Sequence, residues 1–173
     1  RSTAEVGIYG LAYKVFEFPL AIPTFIMNSV YPLFLATQNH ELKKKFRTMF
    51  LFMISASCFM ILILWMAAPL LSMIRPEFGS SVGAVRVLSL GLPFFFLTSL
   101  TMWTLIALKR QKTLAIIYGA SMVVNVLLNG WLVPTHGYMA AAWVTVGSEA
   151  LVLVVSGWVL IRQMSQIGHV RKI

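Results

Sequence analysis

The sequence predicts an all-α polytopic membrane protein with five transmembrane helices, and three observations carry that prediction. Charged residues make up only 11% of the 173 positions and hydrophobic ones 59%, whereas a soluble domain has about 25% charged residues. The mean hydropathy is +0.84. The apolar residues fall into five runs, each near the length of about 20 residues that a helix needs to cross a bilayer. Basic residues, finally, gather in the short connections between runs, a pattern that orients membrane proteins. Membrane strands would alternate apolar and polar residues over about 10 positions, and no run does so.

The runs are Val6–Leu35, Thr48–Ile74, Val82–Leu108, Thr113–Val133 and Tyr138–Ile161, so the predicted helices are about 6–35, 48–74, 82–108, 113–133 and 138–161, in one membrane domain. The first run is too long and too charged for a signal peptide. A chain opening on Arg1 reads as a fragment or a processed product. The single cysteine, Cys58, leaves no disulfide framework or cysteine metal site within the chain.

Ten of the fourteen basic residues lie in three regions: Lys43, Lys44, Lys45 and Arg47; Lys109, Arg110 and Lys112; and Arg162, Arg171 and Lys172. The opposite connections hold Arg1, Arg75 and Arg86, and Lys14 lies within run one. Five alternating spans put the three rich regions on one side, which the positive-inside rule makes cytoplasmic. The start of the chain is then external and its end cytoplasmic. This placement argues against nucleic acid as the reason for the net charge of +9. The Lys43–Arg47 segment reads instead as a topology signal and a contact for anionic lipid. Arg75–Ser81 is a Pro/Gly break, and Val133–Tyr138 a tight outer hairpin.

Run one is the odd member. It carries Lys14 and Glu17 although a charge at a helix centre costs about 2.5–3.5 kcal/mol, and it contains Pro19, Pro23 and Pro32. At 100° per residue, Gly10, Lys14, Glu17, Ala21, Thr24 and Asn28 share one arc. Run four places Tyr118, Ser121, Asn125 and Asn129 on one face, and run five Ala142, Thr145, Glu149 and Ser156. In run three, Arg86, Ser89, Thr101 and Thr104 share a broader side, near Pro93. Run two, with Ser55, Ser57, Cys58 and Ser72, is expected to be the lipid-facing helix.

Two readings of these polar groups stay open. Ser, Thr and Asn serve as helix–helix glue, each hydrogen bond contributing about 0.6 kcal/mol. Ionisable groups more often mark a water-filled cavity or pathway. Lys14 and Glu17 are spaced to neutralise one another, and Lys14 can also snorkel. Glu149 has no local partner in sequence. Arg86 suits an interfacial anchor. The binding candidates are therefore Lys14, Glu17, Asn28, Asn125 and Glu149. His40, His136 and His169 lack the spacing of a shared metal site, and no nucleophile elbow, P-loop or carboxylate pair is present. The sequence thus predicts no enzyme, cofactor or metal.

Ala4-Glu5-Val6-Gly7-Ile8-Tyr9-Gly10-Leu11-Ala12 resembles the VGxYxxA helix opening found in the second half of bacterial polysaccharide flippases, and Tyr31-Pro32-Leu33 is similar to the end of that helix. Asn125-Val126-Leu127-Leu128-Asn129, leading through Val133-Pro134-Thr135-His136-Gly137 into Ala140-Ala141-Ala142, resembles the family's NxxLNxxLIPxxGxxGAA hairpin. Met139 stands where a second Gly is usual. The resemblance covers nearly the whole chain, and the family is the O-antigen and exopolysaccharide flippases of the multidrug/oligosaccharidyl-lipid/polysaccharide superfamily. It implies a two-lobed transporter of twelve or more helices in the bacterial inner membrane, of which these five would be helices eight to twelve, partnered by missing N-terminal helices. It also implies movement of undecaprenyl-diphosphate-linked oligosaccharide between leaflets by alternating access, and an isolated fragment that transports nothing. On that resemblance Lys14 is the candidate for attracting the diphosphate, while Glu17 and Glu149 serve charge balance or coupling to H⁺ or Na⁺. A drug/cation antiporter of the same superfamily is the main alternative. A polytopic glycan-processing enzyme is a further one, disfavoured by outer loops of only about seven residues, where such enzymes carry a large loop or a polar catalytic cluster.

Overall fold

The computed structural model describes residues 3–37, 39–74 and 76–169. Of the basic residues used to orient the chain, Arg1, Arg75, Arg171 and Lys172 lie outside the described residues. All regular structure among those described is helical: α1 (Thr3–Ala36), α2 (Asn39–Ala67), α3 (Leu70–Ile74), a 3₁₀ turn (Pro76–Ser80), α4 (Ser81–Ser89), α5 (Leu92–Ala107), α6 (Gln111–His136) and α7 (Tyr138–His169). Four helical stretches are long and apolar enough to cross a membrane, and five if the bent α4–α5 pair is one span.

The prolines explain where helices end and where they continue. Pro19 and Pro23 sit inside α1, one turn apart and buried, on the face that also buries Ala12, Phe16 and Met27. Neighbouring helices make such prolines tolerable in a spanning helix. Pro69 interrupts the second run, and α2 gives way to the short α3 through a turn in which Leu71 N–H donates to Ala68 O at 3.2 Å.

Run three departs from the continuous helix expected over 82–108. It is two helices bent by 42° at Leu90-Gly91. Pro93 falls in the first turn of α5 and brings no N–H for the carbonyl of Ser89, so the ladder is broken there. Gly91 is buried, and a Cβ at that position would lie 3.0 Å from Leu88 O and 3.2 Å from Val146 Cγ2. Helix α7 closes on the elbow at this point.

The basic segment after run one also differs from a connecting loop. Asn39–Arg47 forms the opening turns of α2, with Glu41 in the first turn and 3.9 Å from Lys45 one turn on. An acidic residue near the helix N-terminus and an i,i+4 Glu–Lys pair both favour helix. The turn from α5 to α6 is tight: Lys109 takes a positive φ of 60°, and Arg110 N–H reaches back to Leu105 O at 2.9 Å.

Helix α5 forms the core. It packs on α1, α2 and α7 and buries Leu92, Phe96, Leu100 and Leu105 almost completely. Two contacts gather the basic regions at one end of the bundle: the Tyr31 ring of α1 lies 5.0 Å from that of Trp103 of α5, and Arg110 donates to Gln163 Oε1 of α7 at 2.7 Å; beside the latter, Arg162 stacks 3.7 Å above Trp158 within α7. At the other end Ser81 Oγ donates to Ile8 O at 3.0 Å and Tyr138 Oη to Ser80 O at 3.3 Å. Helix α2 buries Met53, Ser57 and Leu64 against this core, so it is not the most exposed helix. That position belongs to α6, the least buried of the long helices, which packs chiefly on α7.

Helix α6 runs through Pro134 to His136, leaving Gly137 alone between α6 and α7. Gly137 adopts φ 74°, ψ −165°, a region open essentially to glycine alone. Gly137→Ala is therefore expected to destabilise the protein by about 1–3 kcal/mol. Gly130→Ala, in open space within α6, is expected to be neutral or stabilising by up to about 1 kcal/mol. Thermal unfolding of the two variants in detergent measures the opposite signs.

Candidate functional site

The polar arc of α1 is exposed along its whole length: Gly10, Lys14, Glu17, Ala21, Thr24 and Asn28 all lie on the open face of the helix. Lys14 Nζ and Glu17 Oε2 form an ion pair of 2.6 Å, with side chains 76% and 50% exposed. A pair this open contributes little to stability. Asn28 stands about three turns beyond Glu17 on the same open face.

Glu149 lies elsewhere. It enters from α7 into a small pocket of about 210 Å³ with apolar walls from Leu20, Pro23, Phe95 and Met102 and polar members Thr24 of α1, Thr98 and Ser99 of α5, and Tyr118 of α6. Helices α1, α5, α6 and α7 thus each place at least one hydroxyl or carboxyl group at one spot. The Ser99 hydroxyl is buried with no hydrogen-bond partner, and Glu149 has no ion pair among the described residues. The volume admits several waters, and the lining offers the polar partners that such waters need. One carboxylate with hydroxyl-bearing neighbours on three other helices is a place where a proton or a small hard cation is taken up. Thr24 belongs both to this pocket and to the open arc of α1, so the two polar features are continuous through it.

The other expected stripes are consumed in packing. Asn125 Nδ2 donates to Ser148 Oγ at 2.9 Å, and Asn129 Nδ2 to Asn125 Oδ1 at 2.9 Å, so this pair ties α6 to α7. Thr101 and Ser156 hydroxyls meet at 3.2 Å between α5 and α7, and Tyr9 Oη meets Thr145 Oγ1 at 3.3 Å. Thr104 Oγ1 donates to Leu100 O within its own helix. Trp65 Nε1 donates to Ser89 Oγ at 2.8 Å, and Arg86 lies 5.9 Å from the ring of the same Trp65. An aromatic chain of Tyr9, Tyr13, Phe16 and Phe95 runs from α1 to α5 at centroid separations of 6.0, 6.1 and 5.5 Å.

The structure therefore separates the five candidates. Lys14, Glu17 and Asn28 stand on one open face, Glu149 sits in a pocket that touches this face at Thr24, and Asn125 is a hydrogen-bonding strut. Thr98 and Ser99 are pocket residues that the sequence reading did not single out. Their signal was present one turn before Thr101, but the period of run three was read across an elbow that shifts the faces of α5. No protein-family model, curated protein or solved structure matches the chain.

The strut can be measured by itself. A double-mutant cycle of Asn125→Ala and Ser148→Ala, followed by thermal unfolding in detergent, is expected to give a coupling of about 0.6 kcal/mol. A coupling of zero would mean the two side chains do not meet in the membrane.

Proposed function

We propose that this chain contributes helices to one lobe of a flippase that moves undecaprenyl-diphosphate-linked oligosaccharide across a bacterial cytoplasmic membrane by alternating access. The observation that supports it best is the open polar arc of α1, six residues long and unbroken from Gly10 to Asn28. A spanning helix facing lipid on that side would leave a lysine, a glutamate and an asparagine in hydrocarbon, which is costly and rare. Facing a wet cavity, the same arc hydrates sugar hydroxyls while the polyprenyl tail stays in the bilayer.

In this mechanism Lys14 attracts the diphosphate. Its partner Glu17 holds the ammonium in place between cargoes, and the anionic head group competes with that carboxylate for it. Rocking of the lobes exposes the cavity to one side and then the other. Glu149 sits behind the arc, joined to it at Thr24, so a proton or Na⁺ taken there alters the charge beside the cavity wall. The basic connections face the cytoplasm in this topology. The chain begins outside, and the cavity is completed by helices of the same protein beyond these five. The exposure of α6 fits a surface that those helices cover.

A second reading, a drug/cation antiporter of the same superfamily, draws support from the carboxylate of Glu149, which has no ion pair among the described residues and suits a cationic substrate as well as a coupling ion. The phenotypes of loss separate the two: lipid-linked glycan intermediates accumulate if a flippase is lost, and drug sensitivity rises if an antiporter is lost.

In the full-length protein, Lys14→Ala is expected to cut surface glycan about tenfold, with membrane insertion unchanged. Unaltered surface glycan would remove Lys14 from the cargo path. Glu149→Gln is expected to flatten the pH dependence of transport in reconstituted vesicles, since the pocket then has no carboxyl group to titrate. A pH profile identical to that of the unsubstituted protein would make the carboxylate structural.

A further inference from the structure

A second cavity, of about 400 Å³, lies where the end of α1 meets the start of α2, at the end of the bundle that carries the basic regions. Its floor is apolar, built from Val30, Leu33, Phe34 and Met49, and its rim carries the two lysines Lys44 and Lys45 together with the carboxylate of Glu41. Lys45 is fixed across the turn. Its ammonium donates to Thr37 Oγ1 at 2.7 Å, the Thr37 hydroxyl donates in turn to Leu33 O, and Glu41 lies 3.9 Å away. Glu41 thus offsets one of the two rim charges. Lys44 is exposed and has no hydrogen-bond or ion-pair partner among the described residues. Thr48 also lines the rim, its hydroxyl turned back to Lys44 O at 3.2 Å. Within residues 41–47 four basic residues stand against the one acidic Glu41.

We propose that this cavity is a binding site for an anionic glycerophospholipid, its phosphate between Lys44 and Lys45 and one acyl chain over the Val30–Phe34 floor. A free phosphate would use the rim and leave the floor empty. A neutral lipid would use the floor and leave Lys44 uncompensated. Only an amphiphile with an anionic head group meets both. The position suits it, because basic residues at a membrane surface attract anionic lipid with about 1 kcal/mol each. The site lies at the helix ends and requires only a bilayer, not a particular cargo. It staples the α1–α2 turn to one leaflet, next to the helix that bears the open polar arc.

The test is lipid binding to the full-length protein in detergent, followed by native mass spectrometry with phosphatidylglycerol, phosphatidylcholine of the same chains, undecaprenyl diphosphate and inorganic phosphate. Phosphatidylglycerol is expected to bind more tightly than phosphatidylcholine, and inorganic phosphate is expected not to displace it. Lys44→Gln should weaken phosphatidylglycerol about fivefold and the Lys44→Gln/Lys45→Gln pair about 25-fold. Lys43→Gln, in the same basic run but off the cavity, should change it by less than about twofold. Leu33→Trp, which fills the floor without touching a charge, should weaken it and leaves the lysines intact should the double variant fold poorly. Equal losses for Lys43→Gln and Lys44→Gln would overturn the site in favour of diffuse surface attraction. Undecaprenyl diphosphate binding more tightly than phosphatidylglycerol would overturn it in favour of a cargo-loading site.

Discussion

The structure depends on the close packing of α5. This helix is buried against α1, α2 and α7 at once, in a medium where apolar side chains gain nothing by leaving solvent and helices associate through packing and hydrogen bonds. Its sequence suits that condition. Thr101 and Thr104 turn their hydroxyls back to their own helix at Thr98 O and Leu100 O, so they present small, satisfied surfaces to their neighbours. Phe96, Leu100 and Leu105 fill the gaps. The elbow at Gly91 directs α4 away from α5, and α7 fits against it because no side chain stands there. Helix α6 alone gains little from this core, and it is held mainly by α7 through Asn125 and Ser148.

Polar residues fall into two sets under that constraint. One set is paired: Tyr9 with Thr145, Thr101 with Ser156, Asn125 with Ser148, Trp65 with Ser89. These pairs satisfy buried donors and acceptors and fix helix register. The other set is left open, on the arc from Gly10 to Asn28 and in the pocket around Glu149. Exposed polar side chains on a helix of this hydropathy need water, cargo or the polar groups of another helix against them, and it is this second set that the transport proposal rests on.

Much of this was legible in the sequence, for reasons tied to period and charge. The arc of α1 could be drawn at 100° per residue because α1 stays helical through all three of its prolines. Residue type and spacing put Asn125 and Asn129 on one face but left glue and cavity lining both open, and the bond from Asn125 to Ser148 comes only with the placement of α7. Two features were hidden. The helical start of α2 looked like a loop because lysines mark connections in membrane proteins, although lysine is also a good helix former. The company of Glu149 was hidden because Thr24, Thr98, Ser99 and Tyr118 come from three other helices, and only the elbow at Leu90-Gly91 sets the rotation of α5 that turns Thr98 and Ser99 toward it. Helix α2 exposes a broad apolar face (Leu51, Phe59, Leu62, Met66) as well as burying Met53 and Leu64, and the still greater exposure of α6 follows from which helices find partners rather than from hydropathy.

The central claim is that the polar arc of α1 faces water within the membrane. Single cysteines placed at Ala21, Thr24 and Asn28, and at the exposed apolar neighbours Phe18 and Phe25, in a cysteine-free form of the full-length protein, measure it directly through labelling by a membrane-impermeant maleimide in intact vesicles. The account predicts labelling at 21, 24 and 28 and none at 18 and 25. Labelling absent from all five positions, or equal at all five, would contradict a wet cavity along this face.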